Sequence, residues 1–343
     1  MGDIPLLSHE QALAQIPAQY REAKDAGSLF FYDSTVVVYI EEGISFQIRL
    51  CPALLKKPVM PLPHFDPTVK VVPQADPFAP PYVAALHVGD LKSADSESDS
   101  LAKAEYVVLL NKYSVVPHHF LVVTKEFKSQ TTPLSPPDLV NMYLFLRAAM
   151  KAGQTLLGYY NCGDRSGASQ AHKHVQFLPV GEDGPPIERI ARAQQVEAPD
   201  RPFSIGALPF AHHIFRFPRS IYGQNPEQLE ETLGQAFLAL IDLTITTIRH
   251  QPSHPSGPPN YNMLMTLEHL YIVPRMKEAH VLVETGDAMS VNACGFAGML
   301  LVKSEKELEA VKSEGVLNIL KEVGMPQIDV RVCEPQQLEI DDA

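Results

Sequence analysis

Residues 161–176 read Asn161-Cys162-Gly163-Asp164-Arg165-Ser166-Gly167-Ala168-Ser169-Gln170-Ala171-His172-Lys173-His174-Val175-Gln176. If the last five form a strand, successive side chains point to opposite faces, and His172, His174 and Gln176 share one of them. Val175 and Phe177 then supply the core side. Immediately upstream, Ser166-Gly167-Ala168-Ser169 offers hydroxyls and backbone N–H groups without bulky side chains, the chemistry that cradles phosphate oxygens. A phosphate site beside two histidines points to phosphoryl or nucleotidyl transfer. A neutral imidazole is a competent nucleophile at pH 7, and in-line attack on an α-phosphorus gives a phosphoramidate. His174, central in the row, is placed for that role. Gln176 can hydrogen-bond a nonbridging oxygen without adding charge, and His172 can orient the nucleophile or the substrate. An isolated His-x-His also occurs on plain surface strands and in metal pairs. Zinc needs three or four ligands, and no cysteine or carboxylate stands nearby at a familiar spacing, so a structural metal is the weaker reading.

Working outward, Ser8 and Gln11 resemble a capping box that opens a helix to about Lys24. The β-branched run 36–40 and the alternation over 44–50 read as strands joined at Gly43. Proline crowds 51–81, which gives an extended wrapping loop holding Lys56 and Lys57. The stretch 92–101 is small, polar and acidic, and reads as a mobile surface loop. Two apolar strands, 106–110 and 120–124, form a hairpin around His118 and His119, of which only one can point into a site. A helix begins near Ser135-Pro136 and is expected to stop near Gly158. The segment 186–204 has charge and proline without a sustained period and reads as a linker between a catalytic domain, 1–185, and a C-terminal domain, 205–343. The second domain is expected to hold a strand over 210–217, a helix over 229–248, a strand pair over 261–274, a glycine-containing segment over 291–302 and a last helix over 305–321.

The chain has 343 residues, 45% of them hydrophobic, and 28 Lys+Arg against 40 Asp+Glu, a formal net charge of −12. That balance opposes binding to nucleic acid or an anionic membrane. Cys51, Cys162, Cys294 and Cys333 form no CxxC pair and read as reduced thiols. No signal peptide or membrane span is evident, and the expected compartment is the cytoplasm, with nuclear entry open.

The stretch SGASQ-A-HKH-V-Q resembles the active-site strand of the HxHxQ branch of the histidine-triad superfamily, and Pro117, His119 and Leu121 match its hairpin. LLKKP, YNMLMTLEHLYIVPR and VNACGFAGMLLVK are similar to segments of the fungal-type diadenosine tetraphosphate phosphorylases, also called ATP adenylyltransferases. The resemblance implies an α+β fold, with a histidine-triad-like antiparallel sheet, flanking helices and two halves built like galactose-1-phosphate uridylyltransferase. It implies phosphorolysis of diadenosine tetraphosphate to ATP and ADP through an AMP-histidine on His174, with Gln176 holding the intermediate and His172 as the first motif histidine. It matches Asn161, Ser166, Gly167 and Ser169 to the phosphate-binding turn, Lys57 to a polyphosphate contact and Asn262 to a substrate contact. Gln176 stands where hydrolases of the superfamily have histidine, which favours transfer to phosphate or a nucleotide. Dinucleoside polyphosphates, ATP, ADP and phosphate are the implied partners of a monomer. Magnesium is expected as a substrate counterion, without a tightly bound cofactor. A dinucleoside polyphosphate hydrolase is the alternative.

Overall fold

A computed structural model describes residues 6–56, 76–91, 104–196, 198, 200–251 and 257–327. Lys57, the side chain of Lys56, Cys333 and the 92–101 loop lie outside the described residues.

The expected 106–124 hairpin forms, with Leu110 opposite Phe120 and Tyr106 opposite Thr124. It lies within a nine-stranded sheet whose spatial order is Leu6–Leu7, His87–Leu91, Tyr106–Leu110, Phe120–Thr124, His174–Val180, Thr155–Cys162, Tyr261–Met265, His269–Pro274 and His213–Arg216. Every neighbouring pair is antiparallel except the first. The architecture is therefore α+β. One ladder joins the two halves of the sequence, with Asn161 opposite Asn262 and Tyr159 opposite Leu264.

Alternation along the strands sends one set of side chains, including Tyr106, Val108, Phe120, Val122, Val175 and Phe177, to a core shared with helices His9–Asp25, Pro136–Lys151 and Pro226–Arg249. Each helix opens on a reciprocal cap: Ser8 with Gln11, Ser135 with Asp138 and Asn225 with Gln228. Such caps satisfy amide groups that the first turn leaves unpaired. The opposite face is covered differently in its two halves. Tyr159, Leu178, Leu264 and Tyr271 pack against a second core with a three-stranded sheet, ordered Met299–Val302, Ile44–Leu50, Thr35–Glu41, and with helices Pro186–Ala193, Glu305–Glu314 and Val316–Val323. Val107, Leu109, Leu121 and Val123 form a separate small cluster under Phe78 and Tyr82. The His-x-His-x-Gln face lies where these two coverings meet.

Three elements differ from the sequence reading. The second helix ends at Lys151, and Thr155–Cys162 is a strand rather than the helix tail. Its residues after Thr155 are all buried, so it lacks the alternation that marks a half-exposed strand. A Cβ on Gly158 would come within 3.1 Å of Met142 and 3.3 Å of Phe177, so the glycine admits the helix above it. The segment read as a linker carries helix Pro186–Ala193, whose buried Glu188 accepts from His269 Nδ1 at 2.9 Å and from the Tyr271 hydroxyl. Those partners lie far along the chain. The last helix divides at Gly315, whose φ of +83° is reached without strain by glycine. Among the described residues no helix is long and apolar enough to cross a membrane.

Lys173, between the two motif histidines, points to the helix side and anchors the strand entry. Its ammonium donates to Asp138 Oδ2 at 2.6 Å and to the Pro133 carbonyl at 2.9 Å, and both charged side chains are at most 5% exposed. Burial alone would push the Asp138 carboxyl up, but the Lys173 charge and the Ser135 donors outweigh it and hold the group below its usual value. A depressed carboxylate pKa stabilises the fold above the unfolded value of about 3.9, and this is lost as pH falls. Lys173→Met leaves a buried carboxylate without its cation and is expected to cost roughly 3–5 kcal/mol at pH 7. Urea denaturation should show the gap to wild type narrowing on acidification toward pH 4, as Asp138 protonates in the variant.

Candidate active site

His172, His174 and Gln176 come together on one face, as the strand period requires, and each is at most 8% exposed. His174 Nδ1 lies 2.8 Å from the carbonyl of His172, an acceptor, so Nδ1 carries the proton. The Nε2 lone pair is therefore directed away from the backbone, 3.4 Å from Gln176 Nε2. Burial lowers the His174 pKa to about 4, against the opposing pull of the His172 carbonyl, and keeps the ring neutral at pH 7. The arrangement is a neutral imidazole with one free nitrogen beside an amide donor, which is the form a histidine nucleophile requires.

His172 is held at both ends. Its Nδ1 meets Asp76 Oδ2 at 2.7 Å, and its Nε2 meets the Thr124 carbonyl at 2.6 Å. Burial opposes charge on Asp76, yet the hydrogen bonds from His172 and the Phe78 amide prevail and lower its pKa. The Phe78 ring, two residues on, lies 5.0 Å from that of His174 and 6.2 Å from that of His172. His119 enters from the hairpin with its Nε2 3.0 Å from Gln176 Oε1, which also accepts from the Tyr159 hydroxyl at 2.9 Å. His118 turns the other way, onto Tyr20.

The small-residue turn hangs from both halves of the chain. Asn161 Oδ1 accepts from Asn262 Nδ2 at 2.8 Å and from the Ala293 amide at 3.0 Å, while Asn262 Nδ2 also donates to the Ser166 carbonyl at 2.8 Å. Arg275, fully buried, donates to Ser166 O, Asn262 Oδ1 and Val291 O. Burial brings its pKa down to about 9. Asn161 and Asn262 thus act on the turn through protein contacts. Ser166 Oγ donates to the Gly163 carbonyl at 2.6 Å. Gly167 has φ +76°, and a Cβ there would stand 2.9 Å from Val291 O and Asn292 Cβ. Ser169 is exposed at the end of the turn.

The sequence reading assigns no role to Asp76, Gln130 or Arg275. Gln130, fully buried, receives the His174 amide on Oε1 at 2.8 Å and donates from Nε2 to the carbonyls of Asn161 at 2.9 Å and His174 at 3.2 Å. It ties the motif strand to the turn from a polar loop with no period to reveal it. Among the described residues, one carboxylate–histidine group has ligand atoms close enough to hold a metal, Glu188, Glu268 and His269, but its atoms already have protein partners. Arg216 Nε donates to His269 Nε2 at 3.0 Å, and Arg192 Nη2 pairs with Glu268 at 2.7 Å. Gln130→Leu leaves three buried backbone groups unpaired, at about 1 kcal/mol or more each. A loss of roughly 3 kcal/mol in chemical denaturation is expected; a loss below about 1 kcal/mol would show that the tie is dispensable.

Residues 4–192 match the Ap4A phosphorylase N-terminal domain, and residues 206–326 match the ATP adenylyltransferase C-terminal domain. The chain is 29% identical over 265 residues to diadenosine 5',5'''-P1,P4-tetraphosphate phosphorylase 2 of Saccharomyces cerevisiae, covering 71% of this chain and 77% of that protein. It is 27% identical over 325 residues to Protein APA1 of the same yeast, covering 91% and 93%. The crystal structure of yeast Ap4A phosphorylase Apa2 in complex with Ap4A shares the fold with a TM-score of 0.73 at 25% identity, covering 95% of this chain and 100% of that one. With residues 4–192 and 206–326 both matched, the chain belongs to the Ap4A phosphorylase family and is a nucleotidyltransferase.

Proposed function

We propose that the protein phosphorolyses diadenosine tetraphosphate to ATP and ADP, reversibly, through a covalent AMP on His174. The observation that carries this reading is the proton assignment of His174, whose Nδ1 is engaged by the His172 carbonyl and whose Nε2 is unprotonated and faces the Gln176 amide. Nε2 attacks the α-phosphorus of one adenosine, the bond to the bridging oxygen breaks, and ATP leaves with that oxygen and its electron pair. Phosphate then attacks the same phosphorus, the P–N bond breaks, and ADP is released with neutral His174 restored. While the ring carries AMP it is cationic, and the Nδ1 bond to the His172 carbonyl, with the Asp76 carboxylate behind His172, offsets that charge. The Gln176 amide donates to a nonbridging oxygen, and the Gly167–Ser169 backbone and the Ser169 hydroxyl offer further donors.

Lys57 contributes to holding the polyphosphate, magnesium accompanies it as counterion, and Asn161, Ser166 and Asn262 shape the turn rather than touch phosphate. Both halves build the site within one chain, which supports action as a monomer, with 1–185 and 205–343 as cooperating units. A glutamine at the third motif position supplies no titrating group to activate water, which supports phosphate as the acceptor.

The test is intact-protein mass spectrometry after mixing with diadenosine tetraphosphate in the absence of phosphate. The expected result is one added AMP with release of ATP, no adduct in His174→Ala, and discharge to ADP when phosphate is supplied. Release of free AMP without phosphate and without an adduct would make the protein a hydrolase instead.

A further inference from the structure

Gln176 is useful to a phosphoryl group only if its NH2, not its carbonyl, faces His174. A carboxamide can sit either way with little change in shape, so something must choose. The hydrogen bonds around it define two self-consistent chains of donors, and one fixed backbone group selects between them.

The His172 carbonyl takes the His174 Nδ1 proton, so His174 Nε2 is an acceptor and can face only a donor. Gln176 therefore turns its NH2 to His174 Nε2 and its Oε1 to the other side. There Oε1 lies 3.0 Å from His119 Nε2 and 2.9 Å from the Tyr159 hydroxyl. An amide oxygen only accepts, so His119 Nε2 carries that ring's proton and donates it to Oε1. Burial lowers the His119 pKa to about 4, consistent with a single ring proton. Asn111, whose Oδ1 accepts from the Tyr113 amide at 3.0 Å, lies over the His119 ring with its Nδ2 3.0 Å and 3.3 Å from the two ring nitrogens. The reversed chain would set the Gln176 carbonyl against the His174 Nε2 lone pair, acceptor against acceptor.

We infer that His119 is a positioning residue that holds the Gln176 carboxamide with its NH2 toward the phosphoryl site. This rests on the proposed AMP transfer for its consequence and on the hydrogen-bond geometry for its substance. Neither His119 nor Asn111 need touch the substrate. The hairpin thereby reports its register to the catalytic strand, because Asn111 and His119 occupy its two ends, with the Asn111 amide donating to the His119 carbonyl at 2.9 Å.

The probes are diadenosine tetraphosphates carrying sulfur at a nonbridging position of both end phosphates, as the Rp,Rp and Sp,Sp forms. Sulfur accepts hydrogen bonds poorly, so an oriented NH2 makes the wild type prefer one form. His119→Leu is expected to lower kcat on the natural substrate by roughly 10- to 100-fold with little change in KM. It should also reduce the stereochemical preference by about tenfold or more, as expected when an oriented donor is lost. His119→Gln, which can still donate to Oε1, should restore much of both. A leucine variant that keeps the wild-type kcat and preference would overturn the inference. Because such variants can fail to fold, the unmodified protein gives a second reading: 15N spectra should place the His119 ring proton on Nε2, and a proton on Nδ1 would overturn the inference equally. A wild type that forms no AMP adduct would instead count against the proposed function, while the His119 tautomer would still decide the geometry.

Discussion

The hydrogen bond between His174 Nδ1 and the carbonyl of His172 joins a side chain to its own strand, two residues back, at 2.8 Å. It turns a ring with two equivalent choices into one with a designated free nitrogen. Everything nearby serves to keep that carbonyl and that ring in place. His172 is clamped between Asp76 and Thr124, Lys173 is drawn into the helix side by Asp138, and Gln130 grips the His174 backbone from both its N–H and its C=O. Because these contacts lie on both faces of the strand and on both sides of His174, the imidazole has little freedom to rotate. Preorganisation of this kind is what makes a buried polar group useful, since its partners need not rearrange as charge develops.

The second constraint is that the small-residue turn after Cys162 belongs to neither half alone. Asn161 leaves one strand and Asn262 the next, directly opposite, and Arg275 reaches from the far side to the Ser166 carbonyl. A buried guanidinium is costly unless its donors are satisfied. Here carbonyls from Ser166, Val291, Val323, Lys277 and Glu278 surround it. The C-terminal half therefore sets the shape of a turn whose sequence lies entirely in the N-terminal half.

What could be read from the sequence followed from period and local chemistry. The His-x-His-x-Gln row needs only strand alternation, and the Ser8, Ser135 and Asn225 caps need only three-residue spacings. The hairpin was visible as two apolar runs around a polar turn. By contrast, Thr155–Cys162 is buried on both faces and shows no alternation, and the helix Pro186–Ala193 is short and opens on the Pro185-Pro186 pair. Gln130, Asp76 and Arg275 reach the site through partners tens of residues away, His174, His172 and Ser166, so no local pattern announces their roles. Lys57, suggested by resemblance alone, falls outside the described residues.

The central claim is that His174 carries AMP on the nitrogen that the His172 carbonyl leaves free. The most direct measurement is nuclear magnetic resonance of the adenylylated protein with 15N-labelled histidine, reading the coupling between phosphorus and nitrogen. The account requires coupling to Nε2 of His174, with a proton retained on Nδ1. Coupling to Nδ1, or to a nitrogen of another histidine, would contradict it.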